Sequence, residues 1–423
     1  MKDGLYKWFL LLLLSCAFFF HQADRALFGL LTIPIQDELN LTDVQIGWIN
    51  TTLSWTLAAM TVVAGFLGDR FSRKWIITLS LIAWSLMTVC MGFIGGFIGA
   101  LFFRSIATGV GESFYAPSAY ALIAVHHKET RSVALSIHQA ALYVGLMASG
   151  LIVARALGLL GSWRNVFIAF GAAGCALGVF FIWGLRDNDS RRDAETQSDS
   201  RDLRASAPPR DKTSLTAGLK AYFCNPSALC ATAGFVAIVF VNNAYLFWAP
   251  KFAAEKFAIG VGEAGKGVML WHHLFAFAAI LAGGIITDRF VAKMPRFRLG
   301  FQAAALLCGA PALLWIGRAP SFTALLIAAS VYGVFRGFFE VNTHASLFDV
   351  VAPQHRSTAV GLLNMIAFFF GGLSGVAMGT LSHSRGVHGF EIGFGIMAGA
   401  YALGAALLAF SFFFTFKKDR VLE

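Results

Sequence analysis

Twelve long runs of predominantly apolar residues constrain the fold of this chain more than any other feature of its sequence. About 20 apolar residues in a helix cross the hydrocarbon core of a bilayer, and the runs have that length. Of all residues, 57% are hydrophobic and only 13% are charged, whereas about a quarter of the residues in soluble domains are charged. We therefore predict an all-α membrane protein with twelve transmembrane helices. The predicted spans lie near residues 8–36, 44–68, 75–94, 95–124, 132–157 and 163–185 in the first half, and near 227–252, 261–286, 297–317, 321–349, 357–382 and 389–416 in the second.

A charged segment between two of these runs occurs twice, once in each half. GFLGDRFSRKW (65–75) follows the second run, and GGIITDRFVAKMPRFR (283–298) follows the eighth, with glycine, aspartate, arginine and lysine at the same spacing. Charge is costly inside the hydrocarbon core, so we predict that both segments are short loops at a membrane surface. A repeat in equivalent places indicates a duplicated unit, and therefore two pseudo-symmetric six-helix bundles. The residues predicted to gate the cavity between the bundles are Gly65, Asp69, Arg70, Arg73, Lys74, Gly284, Asp288 and Arg289.

The predicted domains are an N-terminal bundle (1–185), a cytoplasmic linker (186–224) and a C-terminal bundle with a short tail (225–423). Residues 186–214 are polar and almost free of large apolar side chains, and 215–223 can form an amphipathic helix at the membrane surface. The basic loops all fall on one side of the membrane if there are twelve spans, as is typical of cytoplasmic loops. This distribution explains the net charge of +10 without nucleic acid. It predicts a multi-pass protein of a bacterial inner membrane with both termini in the cytoplasm.

Ionisable side chains inside the predicted spans point to function, because each needs a partner or a water-filled cavity. Asp24 in the first span and Glu112 in the fourth are predicted to carry protons, since a cavity that alternately wets and pairs an acid can load and release one. The alternative is a permanent ion pair that holds helices together. Arg104 can bind an anionic substrate through its bidentate guanidinium, or it can only neutralise Glu112 or Asp24.

Further polar residues in the spans are weaker candidates. His138 in the fifth span is a possible proton relay or a hydrogen-bonded structural residue. Arg336 and Glu340 are four residues apart on the tenth span, and we expect them to form a structural pair. Asn243 in the seventh span takes the place of Asp24 when the repeated loops set the alignment. The residues predicted to line the substrate cavity besides Arg104 are His21, Gln139, Tyr143, Asn243, Trp248 and Asn342, with packing or interface anchoring as the alternative for the two aromatic side chains.

The chain carries no phosphate-binding GxxxxGK[ST] motif, so ATP is not expected to drive it, and an ion or substrate gradient must do so. Six cysteines lie in or beside apolar runs without metal-type spacing, so we predict neither disulfides nor a metal site. No serine or cysteine occupies a recognisable nucleophile motif. We therefore expect a protein that is not an enzyme and needs no cofactor.

The two charged segments, together with GSWRNVF (161–167), resemble the major facilitator superfamily over nearly the whole chain. The resemblance implies two six-helix bundles around a central cavity, alternating access, and a monomer. Within the superfamily, ADRALFG (23–29) and GVGESFYAP (109–117) resemble the spinster-like lipid transporters and the anion:cation symporters, in which the corresponding acids are implicated in proton coupling. One departure is that Arg104 and Glu112 are eight residues apart instead of seven. One residue turns a helix by about 100°, so this spacing predicts that the two side chains diverge.

These features together predict a proton-coupled secondary transporter of a small organic anion such as a sugar acid. The alternative is a spinster-like carrier of lysolipids or other amphiphiles, which needs a lateral apolar opening between helices instead of a closed polar pocket. A third hypothesis, a transporter-like sensor, finds no candidate output domain in the linker or the tail.

Overall fold

A computed structural model describes residues 3–68, 71–127, 130–186 and 215–421, and these residues are almost entirely helical. Within these described residues, ten helices are long and apolar enough to cross a membrane. The other two spans are the second, which has 26 residues, and the fourth, which is divided into segments. The helices confirm the predicted all-α membrane fold. In chain order the twelve spans are Asp3–Leu30, Asp43–Gly68, Arg73–Met91, 97–126, Arg131–Leu160, Trp163–Gly184, Pro226–Phe257, Val261–Val291, Phe297–Arg318, Phe322–Phe348, Arg356–Arg385 and Val387–Asp419.

Equivalent helices pack together in the two halves of the chain. The first span packs on the fifth, the second on the fourth and the third on the sixth. In the second half the seventh packs on the eleventh, the eighth on the tenth and the ninth on the twelfth. Adding six to each number of the first set gives the second set, so the packing has the pseudo-symmetry that the repeated loops predict.

The ends of several predicted spans differ from the structure. The first span ends at Leu30, and a separate short helix, Thr32–Leu39, follows it. The predicted loop at 283–298 is wrong for its first part, because the eighth span continues to Val291. Arg289 lies in the last turn of that helix, where a positive charge interacts favourably with the helix dipole, so a charged sequence at the surface need not be a loop. The helix Leu215–Phe223 is present as predicted, whereas residues 187–214 of the linker lie outside the described residues.

The two halves meet along the second and eleventh spans and along the fifth and eighth. Glycines bring these backbones close together: a Cβ atom on Gly47 would lie 2.5 Å from the carbonyl oxygen of Gly375, and one on Gly150 would lie 2.6 Å from that of Gly265. We call the membrane side that carries Lys74 and the 292–296 turn the loop face, and the opposite side the far face. The glycine contacts are displaced toward the far face, where the second span begins and the eleventh ends.

Candidate functional site

Two acids and two arginines form a buried cluster between the first and fourth spans, which we call the acid–arginine cluster. Nη1 of Arg104 lies 3.5 Å from Oδ2 of Asp24 and 3.9 Å from Oε1 of Glu112. Nε of Arg25 lies 3.8 Å from the other oxygen of Glu112. Asp24, Arg104 and Glu112 are buried, with residue exposures of 2%, 3% and 2%. Two positive and two negative side chains therefore balance each other, and of the four only the Arg25 side chain is partly exposed.

Neighbouring residues orient the two acids differently. Thr88 of the third span donates a hydrogen bond of 3.0 Å to Oδ1 of Asp24. Glu112 accepts no hydrogen bond from the described residues at either carboxylate oxygen. Nε2 of His21 lies 3.6 Å from Oε2 of Glu112, and the Gln22 amide contacts the other nitrogen of this imidazole at 3.0 Å. Asp24 is thus fixed by a hydroxyl donor, whereas Glu112 is surrounded by basic groups just beyond hydrogen-bonding distance.

The predicted divergence of Arg104 and Glu112 is wrong, because the fourth span is not a uniform α-helix. Residues Leu101–Ala107 are π-helical, between the α-helical segments Phe97–Ala100 and Thr108–Ser113. A π-helical segment closes each hydrogen-bonded ring with one more residue than an α-helix, so it accommodates an extra residue locally. The eight-residue spacing therefore still places both side chains on one face of the span.

Arg25 is the more accessible of the two arginines. The Nη2 atom of Arg104 donates to the carbonyl oxygen of Arg25 at 3.0 Å, so the Arg104 guanidinium is held by its own half of the protein. Its side chain is 4% exposed, compared with 20% for that of Arg25. No substrate role was predicted for Arg25 from the sequence. The sequence feature that could have indicated one is its position next to Asp24 in a helix, because adjacent residues point in different directions and can contact different partners.

His138 lies in an aromatic environment next to this cluster and does not contact Glu112. Its ring stacks on Phe18 with centroids 4.5 Å apart, and Nε2 is 3.2 Å from the Tyr115 hydroxyl. The next residue, Gln139, accepts a hydrogen bond of 2.9 Å from Tyr120. Both of these last residues line a cavity of about 420 Å³ between the fourth and fifth spans.

A second charged group joins the two halves. Arg336 and Glu340 form the predicted pair, with Nη2 2.8 Å from Oε1. The Tyr143 hydroxyl, from the first half, donates to the other carboxylate oxygen. Tyr143, predicted to line the substrate cavity, therefore contacts a residue predicted to be only structural.

The remaining predicted cavity residues are occupied by contacts with protein groups. Asn243 donates to the Ser54 hydroxyl across the halves at 3.3 Å. Trp248 is fully buried and donates to the carbonyl oxygen of Gly375 at 3.2 Å. Asn342 lies at a break in the tenth span and donates to Thr287 at 3.0 Å. Among the predicted gating residues, Gly65 lies on the second span, Arg73 and Lys74 begin the third, and Gly284, Asp288 and Arg289 lie on the eighth, whereas Asp69 and Arg70 lie outside the described residues.

A polar contact that was not predicted from the sequence joins the two halves at the far face. Lys251 of the seventh span donates to Oδ1 of Asp43, the first residue of the second span, and to the Gln36 side chain at 2.6 Å. Asp43 also accepts from Gln36 at 2.7 Å and from Ser382 of the eleventh span at 2.5 Å. We call these four residues the far-face contact. A lysine inside an apolar span was its sequence signal, but the partner is 208 residues away in the chain.

Residues of the GSWRNVF segment form hydrogen bonds at the same face, all within the first half. Arg164 Nε and Trp163 Nε1 each donate to Glu38 at 2.6 Å, and Arg164 also donates to the carbonyl oxygens of Gly92 and Ile94. The hydrogen bond from Arg164 holds the pKa of the Glu38 carboxyl below its ordinary value.

Comparisons with known proteins agree with this architecture. Protein spinster homolog 1 of Mus musculus is 28% identical over 367 residues, which are 81% of this chain and 66% of the mouse protein. The match to the Rattus norvegicus homologue covers 41% of that protein, so the chain matches less than two thirds of these relatives' length. A probable sulfoacetate transporter, SauU, of Cupriavidus necator is 26% identical over 92% of this chain and 90% of that protein.

The fold also matches a solved structure over almost its full length. The crystal structure of a bacterial homologue of the human lysosomal transporter spinster, in an inward-facing and unoccupied conformation, has a TM-score of 0.83 and 20% identity, and covers 99% of both chains. Residues 13–319 match the sequence profile of the Major Facilitator Superfamily. With twelve spans among its described residues, in two pseudo-symmetric bundles, and a profile match over most of its length, the chain belongs to the Major Facilitator Superfamily.

Proposed function

We propose that this protein is a proton-coupled secondary transporter that moves a small organic anion by alternating access. The observation that carries the proposal is the environment of Glu112. Its side chain is 0% exposed and its carboxylate accepts no hydrogen bond from the described residues, while Arg25, Arg104 and His21 surround it within 4 Å. A buried acid with charged neighbours and no fixed donor is suited to exchange a proton, because no hydrogen bond has to break first.

Charge balance links proton binding at Glu112 to anion binding at Arg25. The acid–arginine cluster is neutral when both acids are ionised. Protonation of Glu112 gives the cluster one excess positive charge, and an anion at the accessible Arg25 guanidinium restores neutrality. Arg104 stays with Asp24, so its role is to position the acids. Proton and anion therefore favour each other's binding, as symport requires.

The contacts between the halves support an arrangement that is closed at the far face. The far-face contact and the glycine contacts lie on that side. The fold also resembles that of the bacterial spinster homologue, whose structure is inward-facing. We propose that the protein works as a monomer in a bacterial inner membrane, with the loop face and both termini in the cytoplasm. The positive charges of Arg73, Lys74 and Lys293 on the loop face support this orientation. In this cycle the predicted gating residues of the loop face close that side of the cavity.

The proposed substrate class rests on the arginine and on one relative. A guanidinium binds carboxylate or sulfonate oxygens in a bidentate manner, so an organic acid fits Arg25. The probable sulfoacetate transporter aligns with this chain over 90% of its own length, which favours a small acid.

Uptake into proteoliposomes tests the proposal. Purified protein is reconstituted with an alkaline interior, and labelled sulfoacetate and gluconate are supplied outside. We expect accumulation that a protonophore abolishes and that Glu112→Gln removes. Glu391→Gln is the matched control, because Glu391 pairs with Lys256 at 2.7 Å within the second half. Accumulation that persists in Glu112→Gln would refute the coupling role of this acid.

A second candidate function is the transport of lysolipids or other amphiphiles. An apolar groove of about 510 Å³ lies between the seventh, eleventh and twelfth spans, and Val236, Phe240 and Leu373 contribute to its wall. Such a groove can hold an acyl chain, and the resemblance of ADRALFG (23–29) and GVGESFYAP (109–117) to spinster-like lipid transporters implies the same substrate class. Uptake of lysophosphatidylcholine without uptake of either acid in the same proteoliposomes would replace the organic anion by an amphiphile.

A further inference from the structure

The two carboxylate oxygens of Glu340 accept hydrogen bonds from different halves of the protein. Oε1 accepts from Nε and Nη2 of Arg336 at 3.1 and 2.8 Å. Oε2 accepts from the hydroxyl of Tyr143, which belongs to the first half. One oxygen therefore keeps its partner in every arrangement of the halves, whereas the other depends on how they are placed.

Arg336 is fixed independently of the first half. Its Nη1 lies 2.9 Å from Nε2 of His272, and arginine can only donate, so this nitrogen must accept. The His272 proton is then on Nδ1, which donates to the carbonyl oxygen of Ala329 at 3.3 Å. All three contacts lie on the eighth and tenth spans, so the second half holds the guanidinium and Oε1 of Glu340 in place by itself.

We infer that Oε2 of Glu340, once released by Tyr143, accepts a hydrogen bond from a hydroxyl group of the transported anion. This inference rests on the proposed function, because alternating access is what separates the two halves. A partly buried carboxylate oxygen that loses its donor is unfavourable unless another donor replaces it. The Glu340 side chain is 23% exposed at the interface between the halves, so a solute between them can reach it.

The charge of the cluster selects a hydroxyl over an ammonium group. Arg336 already neutralises Glu340, so the free oxygen needs a donor without an additional positive charge. The substrate then has two recognised ends: an acid that meets Arg25 in the first half, and a hydroxyl that meets Glu340 in the second. A hydroxylated acid such as a sugar acid satisfies both halves, whereas sulfoacetate satisfies only the first.

Binding of two anions to detergent-purified variants tests this inference. Gluconate carries hydroxyls and sulfoacetate carries none, so the ratio of their dissociation constants isolates the hydroxyl contact from any general change in conformation. Tyr143→Phe removes the competing donor while keeping the ring. We expect gluconate to bind about tenfold tighter relative to sulfoacetate in this variant, as fits a hydrogen bond to a charged acceptor.

A second variant and a control complete the test. Glu340→Gln replaces the charged acceptor by an amide and is expected to weaken gluconate relative to sulfoacetate. Tyr222→Phe is the control, because the Tyr222 hydroxyl pairs with Thr232 inside the second half, and its ratio should equal that of the wild type. If both acids bind but the ratio is the same in all variants, Glu340 does not contact the substrate. If the wild type binds sulfoacetate and not gluconate, hydroxyl recognition is refuted as well. If it binds neither acid, the proposed substrate class fails and this inference fails with it.

Discussion

Replacement of Lys251 by methionine is expected to shift the protein toward an arrangement in which the far face is open. Lys251 is 5% exposed and is bonded to Asp43 and Gln36 of the first half, although it belongs to the second. In the proposed alternating-access cycle, the pair exists only while the far face is closed. In Lys251→Met the closed arrangement must bury Asp43 without its cation, whereas an open arrangement exposes this carboxylate to water.

The size of the effect follows from the burial of the pair. Removing one partner of a buried ion pair destabilises a structure by about 3–5 kcal/mol. Asp43 keeps hydrogen bonds of 2.7 Å from Gln36 and 2.5 Å from Ser382, which favours the lower end of that range. A loss of about 3 kcal/mol in the closed arrangement alone shifts the equilibrium toward opening by roughly a hundredfold.

Hydrogen–deuterium exchange of backbone amides measures this shift. We expect residues 32–43 to exchange much faster in Lys251→Met, because opening exposes this segment. Lys256→Met is the matched control: Lys256 lies on the same span and pairs with Glu391 at 2.7 Å and with the Gly317 carbonyl oxygen at 2.6 Å, all within the second half. It should lower thermal stability and leave exchange at 32–43 unchanged. Equal exchange at 32–43 in both variants would refute the reasoning.

Three further predictions concern the first half. Asp24→Asn removes one negative charge from the acid–arginine cluster, so an anion can bind at Arg25 without protonation of Glu112; proton-driven accumulation in proteoliposomes should therefore be abolished while exchange of substrate for substrate continues. Accumulation against a gradient in this variant would exclude a role for Asp24 in proton coupling. Because Arg164 lowers the pKa of Glu38, the ionised pair stabilises the fold at neutral pH, and this contribution is lost as the pH falls through the lowered value. The melting temperature of Glu38→Gln should therefore lie below that of the wild type at neutral pH and approach it in acid; a difference independent of pH would contradict this. Deletion of Ile106, which is 41% exposed in the π-helical segment, should convert that segment to α-helix and preserve transport, whereas deletion of Leu86, 47% exposed in a regular helix, should abolish it. Equal loss in both deletions would show that the π-helical segment does not absorb the extra residue.

The sequence predicted that Asp24, Arg104 and Glu112 are functional, because charged side chains in the spans cannot face lipid. It offered pairing among them only as an alternative and placed Arg104 and Glu112 apart, whereas the structure brings all three together with Arg25. The π-helical segment was not predictable, since an extra residue can rotate a helix or be absorbed locally. The π-helical segment packs against the second and third spans, and the distance in sequence between Arg104 and Glu112 carries no information about this packing.

Contacts between the halves were the part that sequence reasoning missed. Lys251 and Tyr143 both have their partners in the other half, and neither the spacing within a helix nor the repeat indicates which residue they meet. Glu340 is an example: its pairing with Arg336, four residues earlier, could be predicted from helix periodicity, whereas its contact with Tyr143 could not. Local periodicity specifies neighbours on one helix, whereas the relative placement of two bundles is a property of the whole fold.

The glycine contacts bear on how fast the halves can separate. Gly47 and Gly150 meet the backbones of Gly375 and Gly265 directly. Backbone surfaces at these two points part without any rotamer change, so the activation barrier for opening comes from the polar bonds and from the aromatic stacks between the halves, Phe28 on Phe247 and Trp55 on Phe369. A larger side chain at Gly47 would have to displace the opposing helix before the far face could close. The turnover rate of the protein would then be limited by reclosure, even with every charged residue in place.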